Sequence, residues 1–145
     1  MLEKKRNILF LDYDGVINTE KLNFDGYFEN PEAIYYINKF CLENNFDIVV
    51  SSSWRKHAKY KEFLYEAGLD KKVNIVGKTD DDNRSKEANI SLYLTKHEVN
   101  KFIIFDDAEI IGDLARFQVR TIFKEGFTKE KYEEALEVIK IFDTL

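Results

Sequence analysis

The chain has 145 residues, long enough to bury one hydrophobic core, and a single domain over residues 1–145 is expected. Hydrophobic residues make up 44% of it, which excludes a disordered chain, and the net charge of −5 argues against nucleic-acid binding driven by overall charge, although a local basic patch stays open. The single cysteine, Cys41, fits a reducing compartment, and without a run of 18 apolar residues a cytoplasmic protein is expected.

The first predicted strand, residues 7–11, is an apolar run that ends in Asp12 and Asp14, with Gly15 directly after them. Residues at i and i+2 of a strand share one face, and two carboxylates held that close repel each other unless a cation lies between them. In open parallel α/β sheets, ligands bind beyond the carboxyl ends of the strands. This strand end is therefore the first candidate site, and an acidic turn in solvent is the alternative.

The rest of the chain alternates between helical and strand patterns after a loop or short flap at residues 18–29. In chain order the predicted elements are a helix over 30–44, a strand over 47–51, a helix over 54–67, a strand over 73–76, a helix after Ser85, a strand over 101–105, a short helix over 109–115, a strand over 118–123 and a helix over 128–142. This alternation predicts an α/β fold, a three-layer Rossmann-like domain with a five-stranded, mostly parallel sheet.

Right-handed crossovers place the carboxyl ends of all parallel strands on one side of the sheet. The polar side chains that follow these ends are therefore expected on one rim: Asp12, Asp14, the serines at 51–53, Asp106 and Asp107. Such a group of acids needs a hard divalent cation, and Mg²⁺ suits carboxylate oxygens. Serine hydroxyls before a helix offer donors for phosphate. The combination predicts a site for phosphoryl transfer.

These motifs, in this order, resemble those of the haloacid dehalogenase (HAD) superfamily of phosphohydrolases. The four motifs correspond to Asp12-Tyr13-Asp14-Gly15-Val16, the serines at 51–53, Lys86, and the pair Asp106-Asp107. A closer resemblance, to small HAD domains of RNA-repair proteins, rests on Ser52-Ser-Trp-Arg55 and on the stretch from Lys86 to Leu94. In that stretch Lys86 stands in place of arginine, and Asn89 in place of glutamate.

The resemblance implies a role for each acidic residue. Asp12 would attack phosphorus to form an aspartyl-phosphate and would also bind Mg²⁺. Asp14, a further residue of the implied metal site, would protonate the leaving alcohol and then activate water. Asp106 and Asp107 would complete the metal site. Asp113, seven residues beyond Asp106, is expected to be a surface carboxylate.

The resemblance also implies the groups that hold the phosphate. Ser52 or Ser51 would bind the transferring phosphoryl group, and the sequence does not decide between them. Lys86 would offset negative charge on the nucleophile and the phosphoryl oxygens. Arg84 is the alternative basic residue, because both residues precede the same predicted helix.

The substrate is the least determined part of the prediction. About 30 residues separate Gly15 from the second strand, which leaves no room for a cap domain, so an open site and a phosphate on a larger substrate, such as a nucleic-acid end, are expected. No nucleotide cofactor and no membrane partner are expected. Five basic residues form either a solvated face or a guide for a polyanion: Arg55, Lys56, His57, Lys59 and Lys61. A non-catalytic phospho-receiver and an inactive phosphate-binding domain are the alternative functions.

Overall fold

A five-stranded parallel sheet organises the chain. The computed structural model describes residues 5–19, 30–80 and 84–145. Within these ranges the strands are β1 (Arg6–Leu11), β2 (Phe46–Val50), β3 (Ile75–Lys78), β4 (Val99–Asp106) and β5 (Gln118–Arg120). The α-helices are α1 (Pro31–Asn44), α2 (Tyr60–Glu66), α3 (Lys86–Lys96) and α4 (Lys129–Ile139), and 3₁₀ segments span Ser53–Lys56, Gly112–Phe117 and Lys140–Asp143. The predicted α/β class is confirmed.

The order of the strands determines where a ligand can bind. The sheet runs β3-β2-β1-β4-β5, and every neighbouring pair is parallel. From β1 the chain proceeds outward to β2 and β3 and then returns to β4 on the other side of β1. In sheets of this kind, ligands bind beyond the carboxyl ends of the strands where the order reverses. Here that position lies between the ends of β1 and β4, which lead into Asp12 and Asp106.

Alternate side chains of β1 face two separate hydrophobic cores, as the two-residue period of a strand requires. Leu9 and Leu11 pack in the larger core, to which α1, α2 and α4 contribute buried side chains. Ile8 and Phe10 pack in the smaller core, on the other face of the sheet, together with Ile90 of α3. The sheet therefore lies between two helical layers, and the predicted three-layer arrangement is confirmed.

Three of the α-helices begin at the capping side chains that the sequence predicts. Asn30 accepts a hydrogen bond from the Glu32 N–H, Ser85 from the Ala88 N–H, and Thr128 from the Lys131 N–H. Such caps satisfy amide groups that have no partner within the helix. Because Ser85 fixes the start of α3, Lys86 occupies its first position. None of the helices in the described ranges combines the length and the apolarity that crossing a bilayer requires.

The predicted single helix over residues 54–67 is wrong. Residues Ser53–Lys56 form a 3₁₀ turn, and α2 begins only at Tyr60. The Tyr13 hydroxyl, which follows β1, donates a 2.7 Å hydrogen bond to the Tyr60 carbonyl. This contact between distant segments fixes the start of α2 against the end of β1, and the chain between the 3₁₀ turn and α2 takes a separate turn.

Two other predicted strand boundaries differ from those of the structure, and a side-chain hydrogen bond to another segment lies beside each one. The strand predicted over 73–76 lies at Ile75–Lys78, and the Val73 carbonyl before it accepts a 2.7 Å bond from the Tyr65 hydroxyl. The strand predicted over 118–123 ends at Arg120. Just beyond it the Thr121 N–H donates to the Asp106 carbonyl at 3.1 Å, and the Thr121 hydroxyl donates to the Gly15 carbonyl at 2.6 Å.

Two predicted helices differ in kind or length, and one predicted loop lies mostly outside the described ranges. The short helix predicted over 109–115 is the 3₁₀ segment Gly112–Phe117, and the last helix is α-helical only to Ile139 before a 3₁₀ segment. Residues 20–29 of the predicted flap lie outside the described residues.

We predict that Gly126→Ala destabilises the fold more than either of two control replacements, Gly112→Ala and Gly77→Ala. Gly126 has φ +71°, and an added Cβ would lie 2.7 Å from the Val16 carbonyl oxygen. We expect a loss of roughly 2–4 kcal/mol in the free energy of unfolding, measured by urea denaturation.

The two controls separate backbone strain from collision. Gly112 has φ +81° with open space around the added Cβ, and its replacement by alanine should cost about 1–2 kcal/mol. Gly77 has neither a positive φ nor a near neighbour, and Gly77→Ala should cost nothing. Equal losses at Gly126 and Gly112 would contradict the prediction.

Candidate active site

Asp12 lies at the carboxyl end of β1 with only 5% of its surface exposed. Its backbone N–H donates to the Phe105 carbonyl at 3.0 Å, which extends the pairing of β1 with β4 by one residue. The Oδ1 atom accepts a 2.9 Å hydrogen bond from the Tyr13 N–H, and Oδ2 lies 3.4 Å from Lys86 Nζ. Both carboxylate oxygens of Asp12 are therefore held in place.

Asp106, at the end of β4, is completely buried. Its Oδ2 accepts a 2.7 Å hydrogen bond from Lys86 Nζ, and its Oδ1 accepts one of 2.9 Å from the Ala108 N–H. The single ammonium group of Lys86 thus contacts the carboxylates that end both central strands. Lys86 reaches them from the first turn of α3, which packs on the smaller-core face of the sheet.

Three carboxylates converge beside Lys86. Asp12, Asp106 and Asp107 each offer an oxygen, and these oxygens lie within 4.8 Å of one another. Burial, reinforced by the Asp106 carboxylate, raises the pKa of Asp12 to about 8, although Lys86 opposes the change. Burial by itself lowers the pKa of Lys86, but the Asp12 and Asp106 carboxylates outweigh it and raise that pKa. The site therefore favours a proton or an additional cation on these oxygens.

The donors of this cluster suit a hard divalent cation. Carboxylate oxygens are the ligands that Mg²⁺ prefers in proteins, whereas softer metals prefer the nitrogen and sulphur atoms that this cluster does not contain. One ammonium group offsets the charge of one carboxylate, which leaves net negative charge for a cation to balance. The residues present therefore fit Mg²⁺, as the sequence predicts.

Gly15 allows the loop after β1 to pass against Asp107. Its φ is +81°, and an added Cβ would lie 2.5 Å from Asp107 Oδ2. A Cβ at such a distance would force the Asp107 side chain to shift, and the positive φ is itself strained for other residues, so this position favours glycine. The glycine of the first motif thus lets the loop after β1 approach the Asp107 side chain of the fourth motif.

Asp14 is exposed, in contrast to Asp12. Its Oδ1 accepts a 3.1 Å hydrogen bond from Asn18 Nδ2. The group of three converging carboxylates among the described residues does not include Asp14, although the sequence predicts it as part of the metal site. An exposed carboxylate two residues from a buried one is suited to exchange protons with a substrate or with water.

The serines after β2 lie at the same edge of the sheet. Ser51 and Ser52 are both buried, and the Ser51 N–H donates to the Leu11 carbonyl at 2.9 Å. The Ser52 carbonyl accepts a 2.8 Å hydrogen bond from Arg55. Within the described part of the chain, the Ser51 hydroxyl has no hydrogen-bond partner. A buried hydroxyl without a partner is costly, which favours Ser51 as the group with a donor to offer a ligand.

The remaining predicted residues lie at the surface or outside the cluster. Arg84 is exposed and precedes Lys86 by two residues, so Lys86 is the basic residue that contacts the acids. Asp113 is exposed, in agreement with the predicted surface carboxylate. The basic side chains of Lys56, His57 and Lys59 are exposed next to the serines.

Gln118 and Thr121 support the site, and sequence reasoning missed both. Gln118 Nε2 donates to the carbonyls of Asp106 and Ala108, and its Oε1 accepts from the Ile110 N–H, so one side chain holds the loop after β4. Thr121 bonds the Gly15 carbonyl through its hydroxyl and the Asp106 carbonyl through its N–H. No motif marks either residue, since both act on segments distant in sequence.

Comparison with known families gives the class of the domain. The parallel sheet and its acidic edge define an α/β domain with a candidate metal site. A sequence profile described as the HAD domain in Swiss Army Knife RNA repair proteins matches residues 8–132, and the chain therefore belongs to this family. The predicted resemblance is confirmed, and membership suggests a phosphohydrolase. Comparisons with curated proteins and with solved structures gave no match.

We predict that Mg²⁺ raises the thermal unfolding temperature of the protein, because it binds the folded cluster and not the unfolded chain. At a concentration one hundred times the dissociation constant, the gain corresponds to about 2.7 kcal/mol. Asp107→Asn should reduce this gain, whereas Asp113→Asn, at an exposed carboxylate, should retain it. Equal Mg²⁺ stabilisation of both variants would argue against a cation at this cluster.

We predict that Lys86→Met lowers the free energy of unfolding, since it leaves the buried Asp12 and Asp106 carboxylates without their ammonium partner. The expected loss, measured by urea denaturation in metal-free buffer, is roughly 1–3 kcal/mol. Arg84→Met, at an exposed position two residues earlier, should change it by no more than about 0.5 kcal/mol. A loss at Arg84 as large as that at Lys86 would be the contrary result.

Proposed function

We propose that the domain is a Mg²⁺-dependent phosphomonoesterase that acts through an aspartyl-phosphate on Asp12. The observation that carries the proposal is the convergence of Asp12, Asp106 and Asp107 within 4.8 Å beside Lys86. This group stands at the strand ends where open α/β sheets bind ligands, in a family that suggests phosphohydrolase activity.

The proposed metal ligands are Asp12, Asp106 and Asp107, whose carboxylate oxygens converge. The ion, when bound, offsets negative charge on these carboxylates and on the phosphoryl oxygens. Lys86 supplies the fixed positive charge of the site and holds the Asp12 and Asp106 carboxylates at a constant separation. We assign the binding of a phosphoryl oxygen to the Ser51 hydroxyl, with Ser52 as the alternative.

Asp12 is the proposed nucleophile. A carboxylate oxygen of Asp12 forms a bond to phosphorus while the bond from phosphorus to the leaving oxygen breaks, which gives the aspartyl-phosphate. The Tyr13 N–H, which donates to Asp12 Oδ1, and Lys86, beside Oδ2, keep this side chain oriented for attack. Orientation of this kind removes much of the entropic barrier to the reaction.

Asp14 is the proposed acid and base. In the first step its carboxyl proton passes to the leaving oxygen, and the alcohol departs. In the second step its carboxylate takes a proton from the water that attacks the phosphoryl group, which releases phosphate and restores Asp12. The exposed position of Asp14 and its hydrogen bond from Asn18 agree with a group that must reach both alcohol and water.

We propose a phosphate on a larger molecule, such as a nucleic-acid end, as the substrate. The family description names RNA repair proteins, and basic side chains stand beside the serines at residues 55–61. These cations can attract a polyanion even though the chain as a whole is acidic. A non-catalytic phospho-receiver is the alternative; it would retain a phosphate on Asp12 without turnover.

We predict that Asp12→Asn lowers the turnover of p-nitrophenyl phosphate about a thousandfold or more, because the amide cannot act as the nucleophile. Phosphate release is measured with and without Mg²⁺, and circular dichroism verifies that the variant is folded. Asp113→Asn, which changes an exposed carboxylate in the same way, should retain wild-type turnover. Near-wild-type activity of Asp12→Asn would refute the assignment of the nucleophile.

A further inference from the structure

A cleft of about 770 Å³ opens beside the acidic cluster. Asp107 belongs to the cluster and also lines the cleft, so the two adjoin at this residue. The side chains that matter for its chemistry are those of Arg120, Ile122, Phe123, Lys131 and Glu134. Ligand pockets in proteins span about 300–1,000 Å³, far more than one phosphate group needs. The cleft therefore has room for the group that carries the phosphate.

One wall of this cleft is the turn of residues 122–126, which is fixed at both ends. At its start, Thr121 bonds the carbonyls of Gly15 and Asp106, and at its end the Phe127 N–H donates to the Val16 carbonyl at 2.9 Å. Within the turn, the Gly126 N–H donates to the Ile122 carbonyl at 2.9 Å. The backbone of the turn is thus attached to the segments that carry Asp12 and Asp106.

Two large apolar side chains of this turn face solvent. Ile122 is 57% exposed and Phe123 is 40% exposed, and both line the cleft. Exposed apolar side chains next to each other on a fixed turn gain free energy when a ligand covers them. An aromatic ring in such a position suits a flat partner, because bases stack on aromatic side chains with little dependence on sequence.

The charges in the cleft nearly balance. Arg120 pairs with Glu109 at 3.3 Å and donates through Nε to the Asp107 carbonyl, and Lys131 lies 4.0 Å from Glu134. The phosphates of a polyanionic ligand would contact carboxylates as well as cations in this cleft, so attraction and repulsion would largely cancel. The contact that distinguishes ligands is therefore the apolar one, which favours a neutral, flat group such as a nucleobase over a polyanionic stretch.

From these features we infer that the cleft is the leaving-group subsite, in which the nucleoside that carries the scissile phosphate lies with its base against Phe123. This assignment rests on the proposed phosphatase function and adds to it the residues that select the substrate. Phe123 and Ile122 contact the leaving group and not the reacting atoms, so they determine specificity and are not catalytic residues.

The test compares two substrates that share a phosphate and differ in the leaving group. One is an oligonucleotide phosphorylated at its 5′ or its 3′ end, and the other is acetyl phosphate, which has no base. Phe123→Ala should raise KM for the oligonucleotide about tenfold and leave kcat unchanged, because a stacked base contributes to binding alone. Turnover of acetyl phosphate should stay within about twofold of wild type.

Two variants serve as controls. Phe123→Tyr keeps an aromatic ring and should retain the wild-type KM for the oligonucleotide. Tyr35→Ala removes an aromatic side chain that is 59% exposed on α1, outside the cleft. It should change neither the KM for the oligonucleotide nor the turnover of acetyl phosphate. Thermal unfolding of each variant verifies the fold.

Two outcomes would overturn the inference: an unchanged KM in Phe123→Ala, or an equal loss of turnover with acetyl phosphate. Failure of the proposed function is visible separately, as a wild-type protein that turns over neither substrate. In that case the anisotropy of a labelled oligonucleotide still tests the subsite. With Asp12→Asn as the parent, an added Phe123→Ala should weaken binding about tenfold, and unchanged binding would reject the subsite.

Discussion

The repulsion among three neighbouring carboxylates is the constraint on which the rest of the site depends. Asp12 and Asp106 are buried, and Asp107 completes the group, yet among the described residues one ammonium group, that of Lys86, lies against the Asp12 and Asp106 carboxylates. Burial makes each uncompensated charge costly, as the raised pKa of Asp12 indicates. An arrangement of this kind costs stability, which suggests that it is retained for binding a cation and an anionic substrate.

The backbone brings these charges together. The parallel pairing of β1 with β4 sets Asp12 beside Asp106, and the positive φ of Gly15 lets the next loop pass against Asp107. Thr121 then links both segments to the chain that follows β5. Because β1 and β4 are central and their side chains fill two cores, the carboxylates stand on the most firmly packed part of the sheet. Rigid support of this kind is what a catalytic site requires.

The sequence was sufficient to predict features that local signals determine. Strand and helix patterns alternate, and capping residues such as Ser85 mark helix starts, so the sheet and the shared rim of Asp12 and Asp106 followed from topology. The sequence did not predict contacts between distant residues. The start of α2 is bonded by Tyr13, 47 residues away, and the chain just beyond β5 is bonded to Gly15, 106 residues away. The residues that line the cleft come together through such contacts, and no sequence motif marks them.

The most direct test of the cation site is a crystal structure determined from crystals soaked with Mn²⁺, which substitutes for Mg²⁺. Anomalous scattering locates the ion independently of any assumption about its ligands. We expect one strong anomalous peak among the carboxylates of Asp12, Asp106 and Asp107, close to Lys86. A site without that peak at saturating Mn²⁺, or with the ion bound only at exposed acidic residues elsewhere, would contradict the shared cation and the catalysis proposed from it.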